Sequence, residues 1–532
     1  MSQIIIVGAG ISGLVAALRA KTEGYDVIVF EKNEKAGGLV NSFYKDGFLF
    51  DGGTRALQGF IFALLKPLNI TMDYVKTPVS IGIEDKIISM ETEEGIENYK
   101  KMLEELYPDS LDDIEKIFKD IRKMGKFLKA VNKMLSVKKG FMSFFIDFIP
   151  AIVSLFANIN VLFKMKDPME KYFENKIKIK NKSLMDIITQ HFFAGTPTFF
   201  ALGYLYMYPD YIYPLGGTGK LAEKLDEKVK ELDIEVKYNT KIVKIDAANK
   251  FIITENREKY YFDKLIWAAD LKTLYRNLEI EKLSKEKTIE FEKEKEKILN
   301  HKGAESIFTV YLAIDEDPKY FKSISNSHLF YTPYRKGLGS IIKEKQQNII
   351  KNWDNLDKKE IFNWLEELCR YNTYEISIPV LKDKDAAPPN KTGLEVSFLF
   401  DYTITKKAKE TGFYEELKEK LTELVINILS ETIYKGLKDK IIFKFSSTPL
   451  TIEEISGSSE GSVIGWSMEK PVPVNSSFLK MVEAAKTSII DIYKVGQWTM
   501  SPAGTPTAVM TGNLAISLIS KNNKKNYKNN KR

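Results

Sequence analysis

The chain has 532 residues, 44% hydrophobic and 28% charged, a globular balance with room for roughly two to four structural units. Its 79 basic and 72 acidic residues leave a net charge of +7, part of it in the run Lys521 to Arg532, so the body carries no nucleic-acid footprint. The lone cysteine, Cys369, excludes an internal disulfide and a cysteine-based metal centre, and suits a reducing, cytoplasmic setting.

Gln3 to Val7 is short, apolar and β-branched, the pattern of a buried parallel strand. It lacks the basic flank and length of a signal peptide and is expected to be retained. Gly8-Ala9-Gly10-Ile11-Ser12-Gly13 follows. Leu14, Val15, Ala17 and Leu18 then predict a helix that stops at Gly24, and Val27 to Phe30 predicts a second strand closed by Glu31. Strand, glycine turn, helix, strand and acid in about 30 residues form the dinucleotide-binding βαβ pattern. Gly8 allows the tight turn, Gly10 lets main chain approach a pyrophosphate, and Gly13 lets the helix pack on the strand. The helix N-terminus offers N–H groups and positive potential to the phosphates. A carboxylate at Glu31 suits ribose hydroxyls and repels a 2′-phosphate. A chance glycine-rich turn would not explain the ordered set of elements, but the pattern alone does not separate FAD from NAD.

Residues 98–205 read as a helical, substrate- or membrane-facing subdomain, after a first cofactor segment at 1–97. The chain returns to the cofactor domain over 206–284, with a helix at Lys220 to Leu232 and strands at Glu235–Tyr238, Lys241–Asp246, Phe251–Thr254 and Leu265–Ala268. Residues 285–455 mix helices with strands such as Ile307–Ala313, Leu394–Phe400 and Ile441–Phe445, and read as a substrate domain. Residues 456–520 complete the cofactor domain, and 521–532 read as a basic disordered tail. The expected class is α/β: a Rossmann-like, three-layer (ββα) FAD-binding domain built from discontinuous segments, with an α+β substrate domain and a helical subdomain.

Gly37-Gly38-Leu39-Val40 follows Glu31, and Asp46-Gly47-Phe48-Leu49-Phe50-Asp51-Gly52-Gly53-Thr54 comes next. This pairing resembles the flavin-dependent amine oxidase and phytoene desaturase superfamily. Within it the chain is most similar to the branch of bacterial phytoene desaturases, carotenoid isomerases and retinol saturases. Tyr213-Pro214-Leu215-Gly216-Gly217, Phe308-Thr309-Val310-Tyr311-Leu312 with His328 downstream, Thr448-Pro449, Gly496-Gln497-Trp498 and Thr511-Gly512-Asn513 carry that likeness in collinear order. The resemblance implies FAD, held by Gly8, Gly10, Ile11, Ser12, Gly13, Glu31, Lys32, Gly37, Gly38, Leu39, Gly53, Thr54, Val243, Gly496, Gln497, Ala503, Gly504 and Thr507. Two departures stand out. Ser501-Pro502-Ala503-Gly504 replaces a Pro-Gly-Gly-Gly loop, and Gln497 stands where many relatives carry an acid.

The resemblance further implies hydride transfer at a carbon–carbon bond of a lipophilic isoprenoid, carotenoid or retinoid-like substrate, as desaturation, saturation or isomerisation. Two rivals are an amine oxidase-like enzyme, favoured by a lysine near the flavin and an aromatic cage, and a flavoprotein with non-catalytic FAD. The three histidines show no metal spacing. Candidate catalytic residues are Arg55, read equally as a surface ion pair, and His191 and His328, both read first as core histidines. Phe141 to Phe163 is apolar and near spanning length, but Asp147, Pro150, Asn158 and Asn160 interrupt it. It reads as a monotopic or tunnel-lining helix pair on the inner face of a membrane, with Lys138, Lys139, Lys164 and Lys166 toward headgroups, or else as buried core.

Overall fold

A computed structural model describes residues 2–136, 154, 160, 164–281, 283–336, 339–475 and 478–529. Strand β1 (Gln3–Val7), helix α1 (Ile11–Thr22) and strand β2 (Asp26–Phe30) form the βαβ unit, with the strands parallel. Ile4 and Ile6 enter a core shared with α1 and with helices Lys220–Glu231 and Thr505–Asn529. Ile5 and Val7 enter a second core with Ile242, Ile245 and Ile252. The strand period of two thus divides one continuous apolar run between two layers.

The parallel sheet runs Glu235–Lys237, β2, β1, Lys264–Trp267, Ile492–Lys494. On one face lie helices. On the other lies a four-stranded sheet containing Lys259–Tyr261, Phe251–Thr254, Ile242–Asp246 and Leu278–Glu279. This is the three-layer α/β arrangement expected, drawn from three separate stretches of chain.

The second large sheet has the order Ile441–Ser447, Ser306–Ile314, Thr392–Phe400, Tyr374–Ser377, His328–Thr332, Val79–Ile83, Lys86–Ser89. Its last two strands come from within 1–97, so that segment does not belong wholly to the cofactor domain. Val79–Ile83 pairs in parallel with His328–Thr332, a partner about 250 positions away that local composition does not encode.

Helices Glu94–Leu106, Leu111–Ser136, Lys182–Thr189 and Thr198–Tyr204 bear out a mainly helical subdomain, packed around Ile114, Phe118, Tyr172 and Leu202. The apolar stretch at 141–163 lies outside the described residues apart from positions 154 and 160. Among the described residues no helix is long and apolar enough to cross a membrane. Lys164, one of the lysines expected near headgroups, pairs with Asp120 and lies over the Tyr172 ring. The stretch from Lys521, expected to be disordered, continues the last helix to Asn529. Asn523 and Ser520 bond Tyr25 there, which ties the helix to the cofactor domain. Cys369 is buried in helix Lys358–Arg370, and burial pushes its thiol up to about 12, so it packs as an inert hydrophobe.

Candidate functional site

The glycine turn is built as its spacing requires. Gly8 has φ +105°, and a Cβ there would lie 3.0 Å from the Ala268 backbone. A Cβ on Gly13 would lie 1.9 Å from the Gly8 carbonyl oxygen, so only glycine lets α1 approach β1. At Gly10 the result is opposite: no protein atom lies within 4 Å of a Cβ, and the residue lines a cavity of about 420 Å³. The open volume beside Gly10 is where main chain meets a phosphate in this motif.

Ile11, Ser12, Gly37, Gly38 and Leu39 share that wall, and the Gly37 N–H donates to the Ala9 carbonyl at 3.0 Å. Gly53 and Thr54 continue it, and Gly496, Gln497, Ala503 and Gly504 close it from the C-terminal loop. Gly496 has φ +97° and its N–H donates to Thr511 Oγ1 at 2.9 Å. Gln497 Nε2 is spent on Ser458 Oγ and the Ser462 carbonyl, at 3.1 and 3.2 Å. A neutral amide therefore braces the 458–462 loop rather than supplying the charge of the missing acid.

Gly8, Gly13 and Glu31 stand behind the cavity wall. Glu31 Oε2 accepts from the Ala9 N–H at 2.7 Å and Oε1 from the Asn33 N–H at 3.0 Å, which clamps the turn. Lys32, Val243 and Thr507 do not line the cavity. Lys32 Nζ donates to the Glu454 carbonyl, Val243 is exposed at a register shift of its strand, and Thr507 sits in the first turn of the last helix.

Ala268, Ala269 and Asp270, after strand Lys264–Trp267, also line the cavity. Sequence reasoning missed them, although their place after a central parallel strand is itself a signal. It also missed an aromatic wall of Phe192, Phe200, Tyr204, Tyr208, Tyr211 and Phe330. Tyr204, Tyr208 and Tyr211 meet edge to face at 5.6–6.5 Å, and Tyr208 lies 5.7 Å from Phe330.

All three catalytic candidates line this cavity. Arg55 is 3% exposed, so it is no surface pair. Its Nε lies 3.3 Å from Glu395 Oε2, Nη2 donates to Ser397 Oγ at 3.2 Å, and Nη1 donates to the Asp51 carbonyl. Burial opposes the Arg55 charge, but Glu395 and its neighbours outweigh it and hold the guanidinium charged. Burial raises the Glu395 carboxyl, with Arg55 opposing. Lys382, behind Arg55, donates to the Arg55 carbonyl at 3.0 Å, and burial lowers it to about 8. His328 Nε2 bonds Glu375 Oε1 at 2.9 Å, while its Nδ1 is buried without a partner. Burial lowers His328 against the pull of Glu375. His328, Arg55 and Lys382 overcome burial and lower Glu375. His191 has both ring nitrogens buried and unpartnered, and burial takes it down to about 4. Among the described residues no cluster suits a metal ion.

A glycine-walled cavity made from both ends of the chain, opening on an aromatic chamber, has the form of a dinucleotide-cofactor site. The sequence profile of flavin containing amine oxidoreductases matches residues 11–337, and the chain belongs to that family. It is 23% identical to the 1-hydroxycarotenoid 3,4-desaturase of Flavobacterium sp. (strain P99-3), over 98% of this chain and 100% of that one. It is also 23% identical to the 4,4'-diapophytoene desaturase (4,4'-diaponeurosporene-forming) of Staphylococcus aureus (strain COL), over 97% and 98%. Among solved structures, wild-type putrescine oxidase bound to putrescine superposes with a TM-score of 0.58 at 12% identity, over 98% of this chain and 99% of that one. The chain is an FAD-dependent oxidoreductase.

Proposed function

We propose that the chain desaturates a carbon–carbon bond of a lipophilic, isoprenoid-type substrate. The observation that carries this reading is the lining of the chamber beyond the glycine walls. It is aromatic, and no lysine is among the described residues that line it. The aromatic lining suits an apolar chain and an aromatic cage alike, so it is the missing lysine that gives less support to the amine oxidase alternative. Two near-full-length relatives named as carotenoid desaturases support the same substrate class.

The residues that would hold FAD are Gly10, Ile11, Ser12, Gly37, Gly38, Leu39, Gly53, Thr54, Gly496, Gln497, Ala503 and Gly504, with Glu31 behind the turn. Glu31, Lys32, Val243 and Thr507 remain proposed contacts for the adenosine end or the loop. When bound, the flavin supplies a two-electron acceptor for hydride.

Desaturation also releases a proton from the neighbouring carbon. The His328–Glu375 pair can take it. An ionised Glu375 fixes the proton of His328 on Nε2, which leaves Nδ1 as a lone-pair acceptor. Burial keeps the imidazole neutral and so able to accept. Arg55, locked by Glu395, Ser397 and Asp51, holds positive potential beside the chamber. The aromatic wall excludes water from the reacting carbons.

Peripheral membrane contact through the 141–163 region belongs to this proposal, because a lipophilic substrate dissolves in the bilayer. Cosedimentation with anionic liposomes tests it, and protein that stays in the supernatant contradicts it. The function itself is tested by mass spectrometry of lipid extracts from cells with and without the gene. A polyene lacking two hydrogens should vanish with the gene, and its precursor should accumulate. Unchanged lipids with altered amines would favour the alternative.

A further inference from the structure

A second cavity, of about 330 Å³, lies against the first, and Gln190, Phe192 and Leu399 line both. Neighbouring residues also alternate between the two: Asn372 lines the second and Thr373 the first, Glu305 the second and Ile307 the first. The chemistry changes across that partition. The first chamber is rich in aromatic side chains around Arg55, His328 and Glu375, whereas the second, among the described residues, has no aromatic lining beyond the shared Phe192 and carries amides, hydroxyls and charges beside Ile350 and Leu368.

Asn372 is 3% exposed. Its Oδ1 accepts from the Thr373 N–H at 2.9 Å, which fixes the amide orientation. Nδ2 is then a buried donor with no partner. An unmade hydrogen bond at such a site is costly, and a bound acceptor would remove the cost. Glu305, on the same cavity, takes one hydrogen bond from the Ala194 N–H at 3.0 Å, and its second oxygen has acceptor capacity left.

The charge balance narrows the ligand. Lys302, Lys343 and Lys351 line the cavity with Glu305, Asp401 and Glu469, and Lys302 is already paired with Asp401 at 3.0 Å. Neither an anion nor a cation gains from a site of equal and partly paired charges. A neutral group that both accepts and donates fits, and a hydroxyl does both.

We infer that the second cavity binds a hydroxyl end group of the lipophilic substrate, which accepts from Asn372 Nδ2 and donates to Glu305. The inference rests on the proposed isoprenoid reading and sharpens it: the substrate is an amphiphile with one polar end, not a pure hydrocarbon. The polar end then sets how far the chain advances, and hence which carbon–carbon bond stands in the aromatic chamber. Asn372 and Glu305 are specificity residues rather than catalytic ones.

Equilibrium dialysis of the flavin-loaded full chain against three radiolabelled probes tests this: geranylgeraniol, its methyl ether and the matching hydrocarbon. The alcohol should bind about ten-fold more tightly than the hydrocarbon, with the ether between, as expected for buried groups otherwise left unpaired. Asn372→Leu should lose that preference while its hydrocarbon affinity and flavin content stay at the parent value. Asn372→Asp, which keeps the acceptor for Thr373, should lose it as well. Equal binding of alcohol and hydrocarbon by the parent protein overturns the inference and leaves the isoprenoid reading standing. No binding of any probe overturns both.

Discussion

Gly10 and Gly13 are three residues apart in one turn, yet the structure gives them opposite costs. A Cβ on Gly10 meets no protein atom within 4 Å, and the backbone there, φ −71° and ψ 174°, is open to any residue. Gly10→Val should therefore leave apo-protein stability within about 0.5 kcal/mol of the parent. The same side chain would fill the cavity space beside the turn, so FAD affinity should fall at least about 100-fold, about 2.7 kcal/mol. A Cβ on Gly13 lies 1.9 Å from the Gly8 carbonyl, so α1 must shift by more than an ångström. Gly13→Ala should cost about 3 kcal/mol of apo-protein stability. Flavin absorbance per chain measures the first effect, and urea unfolding of the apo-proteins measures the second. Parental flavin content in Gly10→Val would refute the cradle. Equal destabilisation of both apo-variants would refute the division of roles between the two glycines.

Other outcomes follow from the buried groups. His328→Gln should lower kcat about 10²–10⁴-fold with flavin content unchanged, and Glu375→Gln should shift the pH profile of kcat; parental turnover in His328→Gln would remove the proton role. Arg55→Met strands Glu395, which is fully buried, and should cost about 3–5 kcal/mol in denaturant unfolding, whereas a loss near zero would mean the ion pair is not formed. His191 is held neutral, its pKa lowered from 6.5 to about 4, so the unfolded chain binds the proton first as pH falls. Its contribution is complete above pH 6.5 and is lost as pH drops to about 4, up to about 3 kcal/mol. His191→Phe should flatten that acid limb of the thermal midpoint against pH, and an unaltered limb would place the sensitivity elsewhere.

The cofactor half of the site was legible because its constraints are local. Gly8, Gly10, Gly13 and Glu31 act within one βαβ unit, and spacing alone reports their tasks. Gly37–Gly38 and Gly496 were legible through resemblance, since nothing local says that positions 38 and 496 share a wall. The catalytic half was legible as single candidates, Arg55, His191 and His328, but not in its pairings. Arg55 read equally as a site residue and as a surface ion pair, because Glu395, the partner that makes burial tolerable, lies 340 positions away. Glu375 lies 47 positions from His328, and neither suggests a pair until antiparallel pairing of strands His328–Thr332 and Tyr374–Ser377 sets them diagonally across from one another. Val79–Ile83 illustrates the same limit for the fold, as its partner strand arrives only after the helical subdomain. Lys32, Val243 and Thr507 show the converse: residues assigned by likeness lie off the cavity lining.

Desaturation by the loaded enzyme removes hydride from one carbon of an isoprenoid chain and a proton from its neighbour, leaving a new carbon–carbon double bond. Anaerobic mixing of stoichiometric FAD-loaded protein with an isoprenoid polyene tests it most directly, with flavin absorbance and product mass followed together. The oxidised flavin band should bleach, matched one to one by a product lacking two hydrogens. Bleaching by a polyamine, with no change on any isoprenoid, would contradict it.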